Sequence, residues 1–144
     1  CPVSASTRQL LEAVALLSQR EPDRHRPLLA EQAAAAERAL QAVQENDVPG
    51  LIVALRAQHR ALDQLGRAAG VPIVTPELCD LEAAAEAEGG VLLPAGAGGG
   101  DIALFAGAAS STPELGAALA ARAHQRLQVE LAAPGVGLAH HRYF

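Results

Sequence analysis

Lysine, methionine and tryptophan are absent from this chain, and one tyrosine and two phenylalanines are its only Phe, Tyr or Trp residues. Because every basic residue other than histidine is arginine, the chain cannot supply a catalytic lysine or the lysine of a phosphate-binding P-loop. The large aromatic anchors that dominate many protein-binding surfaces are also scarce. Hydrophobic residues nevertheless make up 50% of the sequence. Alanine, leucine and valine must therefore build the core.

Further absences narrow the class of protein. No apolar run approaches the roughly 20 residues of a membrane span, and no signal peptide is recognisable. Cys1 and Cys79 lack metal-site spacing, and the five histidines form no metal-binding motif, so we predict no metal site. The histidines are expected at the surface or at helix ends. The net charge of −5 argues against nucleic acid and anionic membranes as partners. These features predict a cytoplasmic protein with reduced thiols.

The domain organisation follows from length and from the first residue. A chain of 144 residues is long enough for one domain with its own core, and we assign residues 1–144 to a single domain. The sequence contains no methionine and starts at Cys1. We therefore expect a piece of a longer gene product. Its oligomeric state stays open.

Apolar periodicity and capping signals predict three or four helices, then two strands, a helix and a strand. Separate runs of helices and hairpin strands indicate an α+β fold, in which an antiparallel sheet packs with helices. Helices are predicted from Thr7 onwards, over residues 27–45, from the Asp47 cap to between Gly66 and Gly70, and over residues 76–86 and 113–126. Strands are predicted over residues 91–93, 102–105 and 127–131.

The most informative segment is a glycine loop between the first two predicted strands. Pro94 and Ala95 lead into Gly96-Ala97-Gly98-Gly99-Gly100-Asp101, which the apolar run from Ile102 follows. The loop lacks the Lys-Ser/Thr ending of a P-loop, and no helix follows it as in a dinucleotide-binding fingerprint. Backbone amides of such a loop can face a phosphate, or its tightness can admit a substrate.

The glycine run resembles the third sequence motif of the GHMP small-molecule kinases, in the variant ending in aspartate that is typical of the phosphomevalonate kinase branch. The segment from Ser4 to Thr7 is similar to the opening of the C-terminal domain in that branch. A weaker resemblance covers the helical part, at these positions: His59, Leu62, Leu65, Gly66, Pro76, Leu78 and Leu81. Together the similarity extends over nearly the whole chain.

The resemblance implies a ferredoxin-like α+β domain, the C-terminal domain of a GHMP kinase. In that family a phosphoryl group passes from ATP, with Mg²⁺, to a small-molecule substrate in the cleft beside an N-terminal kinase domain. That second domain carries the Gly-Ser-Ser-Ala phosphate loop and the main catalytic groups, and this chain lacks both. The chain by itself is therefore expected to be inactive. The complete enzyme is expected to phosphorylate a metabolite such as an isoprenoid precursor.

The residues that would form the site follow from the same resemblance and from the helix start. Gly96, Ala97, Gly98, Gly99 and Gly100 are predicted to form the phosphate loop. Ser6, Thr7, Arg8 and Asp101 are predicted to bind substrate, with Arg8 as a cation where the helix dipole also favours anions. No catalytic residue is assigned to this chain. Leu93 and Ala95 depart from the lysine and serine usual in phosphomevalonate kinases, which weakens phosphomevalonate as the substrate.

Other functions remain open at this point. A mevalonate or homoserine kinase of the same family is compatible with Leu93 and Ala95. A stand-alone, non-catalytic α+β module could bind a small ligand through the same loop. A helical interaction protein with an incidental glycine hairpin is a further alternative, although the alternation of Leu127, Val129 and Leu131 opposes it.

Overall fold

A computed structural model describes residues 6–100, 102–127 and 129 of the chain. This part of the chain contains five helices and a two-stranded antiparallel sheet, so the predicted α+β class is confirmed. The elements are α1 (Thr7–Arg20), α2 (Pro22–Gln44), α3 (Val48–Ala69), α4 (Pro76–Ala87), β1 (Val91–Pro94), β2 (Ala103–Ala106) and α5 (Pro113–Ala120).

The capping signals place three helix starts where the sequence predicts them. The Ser6 hydroxyl accepts a hydrogen bond from the Gln9 amide at 3.2 Å, and the Gln9 side chain accepts one from the Ser6 amide at 3.0 Å. Asp47 accepts from the Gly50 amide at 3.0 Å, and Thr75 starts α4 in the same way. Each cap satisfies an amide that has no partner inside its helix.

Two helix boundaries were predicted wrongly. Helix α2 begins at Pro22, five residues before Pro27, because the amides of Arg24 and His25 already donate to the Glu21 carbonyl. Proline suits the first turn of a helix, where its missing N–H costs nothing. Helix α5 ends at Ala120 rather than near 126. Ala123 has a positive φ of 61°, and the His124 amide bonds back to the Leu119 carbonyl, which closes the helix.

The predicted strand over residues 127–131 was wrong at the two positions that the structure describes. Leu127 and Val129 belong to no strand and are 62% and 72% exposed. Residues 128, 130 and 131 lie outside the described part. Within the described residues the sheet has two strands, whereas a ferredoxin-like core has four, so that finer prediction gains no support here.

Helix α3 lies at the centre of the molecule, with α2 on one side and β1 on another. One buried cluster joins α4, α5 and the sheet, with Leu78, Leu81, Leu92 and Leu115 at its centre. A second cluster joins α1, the end of α3 and the connector before α4, through Leu10, Leu17, Leu65 and Ile73. The two clusters fix the hairpin and the connector that its glycine loop touches.

Glu88 caps the start of α5 from the end of α4. Its carboxylate accepts hydrogen bonds from the amide and hydroxyl of Thr112 and from the Leu115 amide, at 3.1 Å for Leu115. The Thr112 hydroxyl, more than any other group, holds the pKa of the Glu88 carboxyl below its usual range. No other side chain in the described residues caps this helix.

Replacing Glu88 with glutamine should lower the melting temperature, because the amide is a weaker acceptor and presents one oxygen instead of two. A carboxyl with a lowered folded pKa stabilises the fold above its unfolded pKa and loses that contribution as the pH falls through the folded value. Thermal unfolding between pH 7 and pH 3 should therefore show a shallower acid dependence for Glu88→Gln. Asp80→Asn, on the exposed face of α4, is the control and should keep the wild-type dependence.

Candidate functional site

The loop between β1 and β2 takes a backbone path that glycine accommodates far better than other residues. Gly96, Gly98, Gly99 and Gly100 have φ values of 67°, 91°, 85° and 101°. Side chains with a Cβ rarely adopt such values. The Ala95 amide donates to the Ile102 carbonyl at 2.9 Å, which joins the two strands at the base of the loop. The glycines are therefore required by the shape of the turn.

The loop lies on the connector between α3 and α4. Gly98 contacts Ile73 so closely that a Cβ at this position would collide with the Ile73 carbonyl oxygen. The same carbonyl accepts a hydrogen bond from the Gly99 amide at 3.1 Å. Gly99 and Gly100 are buried, whereas Ala95, Gly96 and Ala97 are exposed. The loop thus has a fixed base and an exposed tip.

The exposed tip offers backbone donors. Among the described residues we find no acceptor for the amides of Gly96 and Ala97, while those of Ala95 and Gly99 are bonded within the fold. Successive amides in a turn with positive φ form a concavity that binds anions. No side chain of the loop carries a positive charge. Recognition of an anion here would depend on main-chain donors and on charges from elsewhere.

The predicted substrate-binding residues have different surroundings. The Ser6 hydroxyl caps α1, and Arg8, one residue after Thr7, pairs with Glu12 at 2.8 Å while its side chain stays 86% exposed. Leu10, one turn into the helix, belongs to the same apolar cluster as Ile73. The start of α1 and the connector under the glycine loop therefore share one apolar cluster. Asp101 lies outside the described residues.

Sequence reasoning missed two polar residues of α3 that hold β1. Arg56 donates from Nε and Nη2 to the Gly90 carbonyl, at 3.1 and 3.0 Å. His59 is buried, at 1% exposure, and its Nδ1 lies 2.6 Å from the Leu92 carbonyl oxygen. Because a carbonyl only accepts, Nδ1 must carry the proton. The expectation that the histidines lie at the surface or at helix ends was wrong for His59, and only its i, i+3 spacing from Arg56 could have indicated a shared role.

Cys79 does not have the surroundings of a reactive thiol. It is half-buried on α4, and its Sγ lies 3.7 Å from Asp63, which pairs with Arg67 at 2.8 Å. Burial, followed by the Asp63 carboxylate, raises the pKa of the Cys79 thiol. A raised pKa keeps the sulfur protonated and weakly nucleophilic. We assign it a packing role.

Two features are absent from the described residues. No group of three or more His, Cys, Asp or Glu side chains there is arranged to hold a metal ion. No helix in that part of the chain has the length and apolar character needed to cross a membrane.

Comparison with known proteins shows a similar fold in a solved structure. No family profile and no curated protein match the chain. The crystal structure of a Lin0012 protein from Listeria innocua is similar, with a TM-score of 0.69 and 28% sequence identity. The match covers 81% of this chain and 32% of the Listeria chain, so this chain spans about a third of the length of that protein. The two proteins share a fold over this region.

Proposed function

We propose that this chain is the C-terminal, substrate-side domain of an ATP-dependent small-molecule kinase of the GHMP type, closest to phosphomevalonate kinase and acting in the cytoplasm. The observation that carries the proposal is the glycine loop. Its base is fixed on Ile73, and its tip exposes the amides of Gly96 and Ala97. Phosphoryl transfer depends mainly on positioning and electrostatic stabilisation of phosphate oxygens, which main-chain donors can provide.

ATP and Mg²⁺ would be held largely by a second domain. The described residues offer no cluster of acidic, histidine or cysteine ligands for Mg²⁺. The loop has no cationic side chain, and the chain has no lysine. The role of this domain is therefore to hold the small-molecule substrate on one side of the cleft. The match to one part of a longer chain supports an arrangement with further polypeptide around this fold.

A coupled ATP-consumption assay on the full-length gene product tests the proposal. Phosphomevalonate, mevalonate and homoserine are offered separately, and turnover is expected with one of them. The chain of residues 1–144 alone should show no turnover with any of the three substrates. Binding of a phosphorylated ligand without turnover in the full-length protein would instead favour a non-catalytic ligand-binding module. Turnover by residues 1–144 alone would contradict the two-domain proposal.

Arg8 provides the sharpest test of the substrate side. Arg8→Ala in the full-length enzyme should raise KM for a phosphorylated substrate by at least about tenfold, because a charge-assisted hydrogen bond contributes about 1.5 to 3 kcal/mol. The value of kcat should change less. Arg24→Ala on α2 removes a comparable exposed ion pair, that with Glu21 just before the helix, and should leave KM unchanged. An unchanged KM for Arg8→Ala would exclude Arg8 from the site.

A further inference from the structure

Gly66 lies in the last turn of α3, where it is buried and has a helical backbone. A Cβ at this position would lie 2.7 Å from the Val71 carbonyl oxygen and 3.1 Å from the Ile73 nitrogen. Both are main-chain atoms, so neither can move aside as the end of a flexible side chain can. Gly66 is therefore required by the closeness of α3 to the connector between α3 and α4, and not by its own backbone conformation.

The end of α3 directs the chain back over Gly66. Gly70 has a left-handed φ of 71°, and the Val71 amide donates to the Gly66 carbonyl at 2.9 Å. Together with the hydrogen bond from the Gly70 amide to the Arg67 carbonyl, this is the pattern of a Schellman helix end. The Ile73 amide then donates to the Val71 carbonyl at 3.0 Å. Main-chain hydrogen bonds therefore hold the connector close to α3.

Ile73 carries this constraint to the glycine loop. Its nitrogen and Cβ lie against Gly66, while its carbonyl oxygen and Cγ2 lie against Gly98. The carbonyl also accepts the hydrogen bond from the Gly99 amide at 3.1 Å. Ile73 is buried, and it belongs to the same apolar cluster as Leu65, the residue before Gly66. A shift of the connector relative to α3 must therefore move the loop or break its hydrogen bond to the connector.

We propose that Gly66 is a positioning residue, which sets the place of the glycine loop and, through the loop, of the bound small-molecule substrate. The inference rests on the proposed function for the substrate, but not for the link between Gly66 and the loop. Gly66→Ala should displace the connector by about 0.7 Å, the difference between 2.7 Å and an ordinary contact of about 3.4 Å. A misplacement of about 1 Å can cost about 100-fold in rate. We expect kcat/KM for the small-molecule substrate to fall by about tenfold or more.

Kinetics separate a displaced loop from a loss of stability. Alanine favours helical backbone more than glycine does, so Gly66→Ala gains helix propensity in α3 while it crowds the connector. Partial unfolding removes active molecules, which lowers the apparent kcat and leaves both KM values unchanged. A displaced loop weakens a contact to the bound substrate, which raises KM for the small-molecule substrate and leaves KM for ATP unchanged. The two KM values together therefore report the position of the loop.

Amide resonances of the full-length gene product, read residue by residue by NMR, test the link to the loop without turnover. In Gly66→Ala the Gly99 resonance should shift, and its amide should exchange with solvent at least about tenfold faster, because its bond to the Ile73 carbonyl is weakened. Gly116→Ala is the matched control, since Gly116 is also helical and a Cβ there would meet no atom within 4 Å. It should leave Gly99 unchanged. An unmoved Gly99 resonance in a folded Gly66→Ala variant would overturn the proposal.

The reciprocal variant tests the same link if Gly66→Ala does not fold. Gly98→Ala presses on the connector from the loop and should shift the amide resonances of Gly66 and Val71, whereas Gly96→Ala should not. Unchanged resonances at both residues in Gly98→Ala would contradict the positioning role. So would an unchanged KM for the small-molecule substrate in an active Gly66→Ala enzyme, which would leave the proposed function intact. A shift at Gly99 in a protein without turnover would contradict the proposed function and support the link to the loop.

Discussion

Gly98→Ala is expected to lower the free energy of unfolding by about 3 kcal/mol. A positive φ costs an alanine about 1 to 2 kcal/mol, and forcing a methyl group against packed atoms costs about 1 to 3 kcal/mol more. Gly98 has a φ of 91°, and the added methyl group would collide with the Ile73 carbonyl oxygen. Urea denaturation measures the loss. Displacement of the loop should also reduce kcat/KM of the proposed kinase by at least about tenfold.

Gly96→Ala is the matched control for this substitution. Gly96 has a φ of 67°, but a Cβ there would meet no atom within 4 Å. Only the conformational cost of about 1 to 2 kcal/mol should remain. Equal losses for the two variants would mean that the contact with Ile73 contributes nothing. A small effect of Gly96→Ala on stability with a large one on activity would place the exposed tip in contact with substrate.

His59→Ala is expected to cost about 3 kcal/mol of stability. The substitution leaves a cavity in the core, because His59 is 1% exposed between α3, α4 and β1. It also leaves the buried Leu92 carbonyl without its donor, which costs about 1 to 3 kcal/mol. The free energy of unfolding from urea denaturation measures the sum. A loss below 1 kcal/mol would contradict this account.

His59→Asn separates the two contributions. The asparagine side-chain nitrogen can occupy the position of Nδ1 and donate to the Leu92 carbonyl, while the rest of the ring volume is lost. His59→Asn should therefore be clearly more stable than His59→Ala. If both variants were equally unstable, the hydrogen bond to β1 would carry no net energy. His59 would then support β1 only by filling space beside it.

The helix starts were predictable because their causes are local. Ser6, Asp47 and Thr75 each cap a helix by contacting an amide three residues ahead. The start of α2 was missed because two prolines compete as starting positions, and only Pro22 falls where the first turn forms. The end of α5 depends on the left-handed conformation of Ala123, a residue type that carries no turn signal.

The strand predictions show how far local pattern extends. Residues 91–93 and 102–105 were correctly placed to within a residue, since a glycine loop between two apolar runs favours a hairpin. The alternation of Leu127 and Val129 was equally clear, yet neither residue joins the sheet among the described residues. Alternation predicts which side chains would share a face of a strand. It does not show whether a neighbouring strand is available to pair with that segment.

The sequence alone determined the absence of a lysine, the glycine loop, the capped helix starts and the α+β class. These follow from composition and from contacts between residues a few positions apart. Only the tertiary structure decided that the loop is fixed on Ile73 and that side chains of α3 close the outer edge of β1. The first depends on the contact of Gly98 with Ile73, and the second on Arg56 and His59, which reach carbonyls 34 and 33 residues away. Pairings at that separation depend on how helices and strands pack, which local sequence does not encode.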